Sequence, residues 1–85
     1  MNGNSRPHVL IVDDTLGNIE LLANILSTDY TVSFAANGTE ALELVNRLPI
    51  DLILLDVVMP GIDGFEVCRR VKTNPATRDI PVIFL

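Results

Sequence analysis

Val9-Leu10-Ile11-Val12 and Leu52-Ile53-Leu54-Leu55 are apolar at every position. A strand with one wet face would alternate apolar and polar residues. A run without alternation must be covered on both faces, as in a parallel sheet flanked by helices. Ile80–Leu85 (IPVIFL) is a third such run. Its Pro81 has no N–H to donate and must sit near the start. Thr31–Ala35 (TVSFA) supplies one more strand, with Val32 and Phe34 on one face.

Helical spacing fills the gaps between these runs. Ile19, Leu22, Ala23 and Leu26 fall at i, i+3, i+4 and i+7, and Asp29 closes that segment. Asn37-Gly38 could open a hairpin. Ala41, Leu42, Val45 and Leu48 then continue at helical spacing, so the dipeptide reads as a strand-to-helix loop with Asn37 as N-cap. Pro49 ends the helix. Val57–Asp63 is a loop marked by Pro60-Gly61. Gly64, Val67, Cys68 and Val71 line a third helix, which Asn74-Pro75 breaks. The order β-α-β-α-β-α-β predicts right-handed crossovers and an α/β fold with a parallel sheet. Met1–Pro7 reads as a flexible tail and 8–85 as one domain.

Composition narrows the function classes. The 85 residues carry 6 basic and 11 acidic side chains, a net charge of −5. Nothing forms a basic stripe, which argues against direct nucleic-acid binding. The hydrophobic content of 48% with 20% charged residues fits a globular chain with a small core. One cysteine excludes an internal disulfide and a cysteine-based zinc site. No apolar run approaches the roughly 18–20 residues of a membrane helix. Met1–Pro7 lacks an apolar signal segment. A cytoplasmic protein without membrane contact is the expectation.

The chemistry lies at the strand ends. In an open parallel sheet, ligands bind beyond the carboxyl ends of the strands. Asp13 and Asp14 follow the first strand and Asp56 follows the third. Taken singly, Asp14 reads as an N-cap and Asp56 as a turn residue. If the two strands are neighbours, three carboxylates meet at one edge. Their repulsion then calls for protons or a cation. Mg²⁺ takes oxygen ligands, and is usually held by one or two carboxylates plus phosphate oxygens. The trio therefore suggests a magnesium site that handles a phosphoryl group.

Val9–Asp14 (VLIVDD), Asn37–Leu42 (NGTEAL), Asp51–Gly64 (DLILLDVVMPGIDG) and Ile80–Leu85 together resemble the response regulator receiver domain of bacterial two-component signalling. The resemblance implies a flavodoxin-like, doubly wound sheet of order 2-1-3-4-5, of which this chain carries β1-α1-β2-α2-β3-α3-β4. Asp56 matches the phosphoacceptor aspartate, and Asp13 and Asp14 match the acidic pair that holds Mg²⁺. Val58 matches the position whose backbone carbonyl completes the metal shell. Pro60 and Gly61 match the turn behind the phosphorylation site. The implied partners are a sensor histidine kinase or phosphotransfer protein, an output domain, and a second copy in a homodimer. The family's switch Ser or Thr and its Lys would fall beyond Leu85. Lys72, Thr73 and Thr77 do not occupy those positions, so a C-terminally truncated receiver is expected. The stretch Asp56–Leu85 looks like receivers attached to diguanylate cyclases or hybrid histidine kinases.

Two rival functions are weighed. A receiver-like dimerisation module would not need the acidic trio. A phosphatase of the haloacid dehalogenase type needs a second Asp two residues past its nucleophile, and here Asp13 is followed by Asp14 and Thr15. The chain is therefore expected to be a phosphotransfer acceptor and not an enzyme. Among lesser candidates, His8 reads as a solvated strand end, Cys68 as a small core residue and Met59 as loop packing. Arg69, Arg70 and Lys72 read as a solvated helix face suited to a helix C-terminus. Receivers meet partner kinases along the first helix, so the resemblance makes Asn18 and Glu20 contact candidates.

Overall fold

The computed structural model describes residues 6–85. The elements are β1 (His8–Val12), α1 (Leu16–Leu26), β2 (Thr31–Ala35), α2 (Gly38–Arg47), β3 (Leu52–Leu55), α3 (Gly64–Thr73) and β4 (Val82–Phe84). The strands form one sheet of order β2-β1-β3-β4, parallel throughout. Residues 1–5 of the expected tail lie outside the described residues. Arg6 and Pro7 are already tied to the body. Arg6 Nη1 donates to the Ser27 carbonyl at 3.2 Å, and the Pro7 carbonyl accepts from the Thr31 N–H at 3.0 Å.

Both faces of the central strands are covered, as their composition requires. Leu10, Val12, Ile53 and Leu55 pack with Ala41, Val45, Val67 and Val71 of α2 and α3. Val9 and Ile11 pack on the opposite side against Ile19 of α1, with Leu22, Ala23 and Leu26 around them. The sheet is therefore wound on both faces, and the three helical stripes read from the spacing are the ones that face the core. Met59 is buried in the core on the α2 and α3 side.

Helix ends follow local chemistry. Asn37 caps α2 by accepting the Glu40 N–H at 2.8 Å, and Glu40 Oε1 accepts the Ala36 N–H in return. Asp63 caps α3 through the Glu66 N–H at 2.9 Å. Asn74 closes α3 just before Pro75. The N-cap of α1 is Thr15, which makes no side-chain cap bond, so Asp14 does not serve as the cap.

Two local expectations need correction, the length of β4 and the setting of His8. The last strand is shorter than Ile80–Leu85, because Pro81 lacks an N–H and pairing begins at Val82. Val32 and Phe34 do share one face of β2, where Val32 packs toward α1 and Phe34 is 54% exposed. His8 is not a solvated end: its ring Nε2 lies 2.7 Å from Ser33 Oγ, and its backbone N–H donates to Asp51 Oδ2 at 2.8 Å. Lys72 is exposed, as expected of its place on the helix face, and its Nζ donates to the carbonyls of Ile80 and Arg78. Arg69 and Arg70 do lie on an exposed face, where both pair with Glu66.

Candidate functional site

Because β1 and β3 are parallel neighbours, their carboxyl ends share one edge. The register ends at Val12 opposite Leu55. One residue further, Asp13 donates its N–H to the Ala35 carbonyl at 3.1 Å and Asp56 donates to the Val12 carbonyl at 2.9 Å. The strand ladder thus holds the backbone of both aspartates at the end of the sheet. Asp14 follows at the mouth of the β1-to-α1 connection.

Carboxylate oxygens of Asp13, Asp14 and Asp56 lie within 4.8 Å of one another. Asp13 is only 4% exposed, Asp56 is half-buried and Asp14 is exposed. The trio therefore grades from protein to solvent, with an open side through which a ligand can enter. Asp13 is satisfied by the chain itself: Oδ1 accepts the Thr15 N–H at 2.9 Å and Oδ2 accepts Asn18 Nδ2 at 3.2 Å. Among the described residues, no buried side-chain nitrogen or oxygen lacks a hydrogen-bond partner.

This donor set is all oxygen, without histidine or cysteine. It suits a hard cation such as Mg²⁺ or Ca²⁺ and not zinc or copper. Three carboxylates at this spacing repel unless protons or a cation intervene. The residues present therefore fit a magnesium ion. Val58 stands two residues beyond Asp56 with its side chain 79% exposed, so an apolar residue there contributes no core packing.

The loop after Asp56 is fixed by two glycines. Gly61 adopts φ +79°, in the left-handed region that favours glycine. Gly64, the first residue of α3, lies so close to the Asp56–Val57 backbone that a Cβ there would overlap the Asp56 carbonyl oxygen and Val57 Cα. Its N–H donates to the Val57 carbonyl at 2.9 Å. The sequence reading placed Gly64 on the buried stripe but did not see this approach. It also missed Asn18 as a partner of Asp13. The available signal was an amide side chain in the first turn of the helix that follows the acidic pair.

Of the remaining candidates, Cys68 is half-buried on the inner side of α3. Thr77 is buried and donates to the Val71 carbonyl at 2.8 Å, a structural bond remote from the acidic edge. Glu20 is exposed on α1.

Comparison with known proteins agrees with this architecture. The response regulator receiver domain family matches residues 9–85. A probable cyclic di-GMP phosphodiesterase of Vibrio cholerae is 48% identical over 77 residues, covering 91% of this chain and 18% of its own length. The response regulator PleD of Caulobacter vibrioides is 49% identical over 78 residues, covering 91% of this chain and 17% of its own. The chain thus spans under one fifth of these two relatives. The N-terminal domain of a response regulator receiver protein from Methanoculleus marisnigri superimposes with a TM-score of 0.88 at 42% identity, over 91% of this chain and 63% of that one. With its βα order, its sheet order and its match from Val9 to Leu85, the chain belongs to the response regulator receiver domain family.

Proposed function

We propose that residues 8–85 form a receiver unit that takes a phosphoryl group onto Asp56. One observation carries this reading: Asp13, Asp14 and Asp56 converge within 4.8 Å at the carboxyl edge of the sheet. Asp56 is the member with a half-buried side chain, held at the end of β3 and open to solvent on one side. A carboxylate oxygen in that setting attacks phosphorus in a phosphohistidine. The new P–O bond forms as the P–N bond breaks, and the imidazole leaves with the electron pair and takes up a proton. The product is an acyl phosphate, a covalent role open to aspartate.

Such transfer depends chiefly on positioning and charge neutralisation. Asp13, Asp14 and Asp56, with the backbone carbonyl of Val58, would hold Mg²⁺, which when bound neutralises charge on the carboxylates and the transferring oxygens. Asp13 supplies a fixed, buried carboxylate, and Asp14 supplies an exposed one. Gly64 keeps the backbone behind Asp56 from shifting.

The donor in this reading is a sensor histidine kinase or phosphotransfer protein, and the recipient of the signal is an output domain or partner. The net charge of −5 disfavours nucleic acid as a direct ligand of this unit. Among the described residues no helix is long and apolar enough to cross a membrane, and a cytoplasmic setting suits a kinase partner.

The test is incubation of the full chain with acetyl phosphate or a phosphorylated kinase, with Mg²⁺ or with a chelator. The expected product is hydroxylamine-labile phosphate that forms only with Mg²⁺. Stable phosphate, or uptake indifferent to chelation, contradicts the reading.

A further inference from the structure

Asn18 lies in the first turn of α1, and its side chain is turned back toward the acidic edge. Nδ2 donates to Oδ2 of Asp13 at 3.2 Å, while Oδ1 of the same carboxylate accepts the Thr15 N–H at 2.9 Å. The next residue, Ile19, is buried against Val9 and Ile11 of β1. The core therefore fixes where the Asn18 backbone stands.

Two donors, one on each oxygen, stop the Asp13 carboxylate from turning about its Cβ–Cγ bond. With only the Thr15 N–H, the group can pivot about that single bond. Repulsion from Asp14 and Asp56, within 4.8 Å, then drives it off its orientation. The chemistry of the donor matters as well. A lysine or arginine here would neutralise the cluster and compete with a cation. A carboxamide orients Asp13 and leaves its negative charge available.

We propose that Asn18 is a positioning residue of the acidic site: its carboxamide holds Asp13 in the orientation on which divalent-cation binding at Asp13, Asp14 and Asp56 depends. The proposal rests on the phosphoacceptor reading above. Groups that orient metal ligands typically contribute about 10–100-fold to affinity. Asn18 is exposed and its bond is long, so a loss of roughly three- to tenfold is expected on removal.

The experiment is Mn²⁺ titration followed by electron paramagnetic resonance, with Mg²⁺ competition, on the full chain and its Asn18→Ala, Asn18→Gln and Asp13→Asn variants. The thermal midpoint of each is measured without cation. Asn18→Ala is expected to weaken both ions by that factor with its cation-free midpoint unchanged. Asn18→Gln, which keeps the amide donor on a longer arm, is expected to recover part of the loss. Unchanged or tighter binding in Asn18→Ala overturns the proposal. So does a loss shared equally by the Ala and Gln variants together with a lowered cation-free midpoint, the mark of a merely structural role. Asp13→Asn separates the two levels of inference. If the unaltered chain shows no saturable binding, or Asp13→Asn binds as well as it does, the acidic-site reading itself fails and the proposal falls with it. If Asp13→Asn loses binding and Asn18→Ala does not, only the proposal fails.

Discussion

The Asp56 N–H donates to the carbonyl of Val12 at 2.9 Å. This bond lies one step beyond the registered pair of Val12 and Leu55. It sets Asp56 beside the residue that follows Val12, which is Asp13. The proposed phosphoacceptor and the buried member of the acidic pair are thus placed by the sheet. A loop would leave their separation free to drift, and mutual repulsion would widen it.

Asp14 is the exposed member of the trio, and Glu20 is an exposed carboxylate on the helix that follows. Asp14→Ala is expected to lower Mg²⁺ affinity by roughly tenfold or more, in line with the loss of one of few charged ligands. Glu20→Ala is expected to leave it unchanged. Calorimetric titration of both variants decides this, and equal affinities would count against the site.

Gly64→Ala is expected to destabilise the fold by about 1–3 kcal/mol, the usual cost of forcing atoms into filled space. The new Cβ would meet the Asp56 carbonyl oxygen and Val57 Cα, and backbone cannot turn aside as a side-chain tip can. Gly17→Ala is a matched control. Gly17 is helical and faces open space where a Cβ would stand, so the change should stabilise by roughly 0.5–1 kcal/mol. Urea denaturation of both variants should show shifts of opposite sign.

The amphipathic pattern made most of this fold legible from the residues. β1 and β3 lack polar alternation and are the two central strands. The stripes through Ile19, Val45 and Val67 are the faces that became core. Strand ends were less legible: Pro81 has no N–H, so the registered pairs start at Val82, although the Pro81 carbonyl still accepts the Ile53 N–H. His8 was misjudged for a related reason. Burial at a strand terminus depends on what packs beside it, and alternation within five residues does not record that. At the site, Asp13, Asp14 and Asp56 could be brought together from strand order alone. The Asn18 bond to Asp13 depends on how the first turn of α1 leaves the sheet, which no spacing specifies.

Glu66, paired with Arg69 and Arg70, gives a pH dependence of definite sign. Hydrogen bonds from Arg69 and then Arg70 lower its pKa from the ordinary 4.5 to about 2. A carboxylate depressed in the folded state stabilises the fold above its unfolded pKa and loses that contribution as pH falls. The Glu66 contribution is therefore complete above about pH 4.5 and disappears between there and about 2. The pair lies at the surface, so the effect is small and sensitive to salt. Glu66→Gln should flatten the acid limb of the stability profile slightly, and high salt should erase the difference. An unchanged acid limb at low salt contradicts the assignment.

A polypeptide of residues 1–85 taken alone is expected to self-associate. Among its described residues β4 pairs only with β3, and Ile83, Phe84 and the following Leu85 are exposed. An edge of that kind offers unpaired N–H and C=O groups to another chain. Leu21 and Ile25 of α1 add exposed apolar surface on the Ile83 side of the sheet. Sedimentation velocity measures this, and a monomer that unfolds in one cooperative transition contradicts the expectation.

Intact mass and peptide mapping after treatment with acetyl phosphate test the central claim most directly. The full chain and its Asp56→Asn variant are compared, each with and without Mg²⁺. The account predicts one added phosphoryl group on Asp56, only in the unaltered chain and only with Mg²⁺. Undiminished uptake by Asp56→Asn, with the label mapped to another residue, would contradict it.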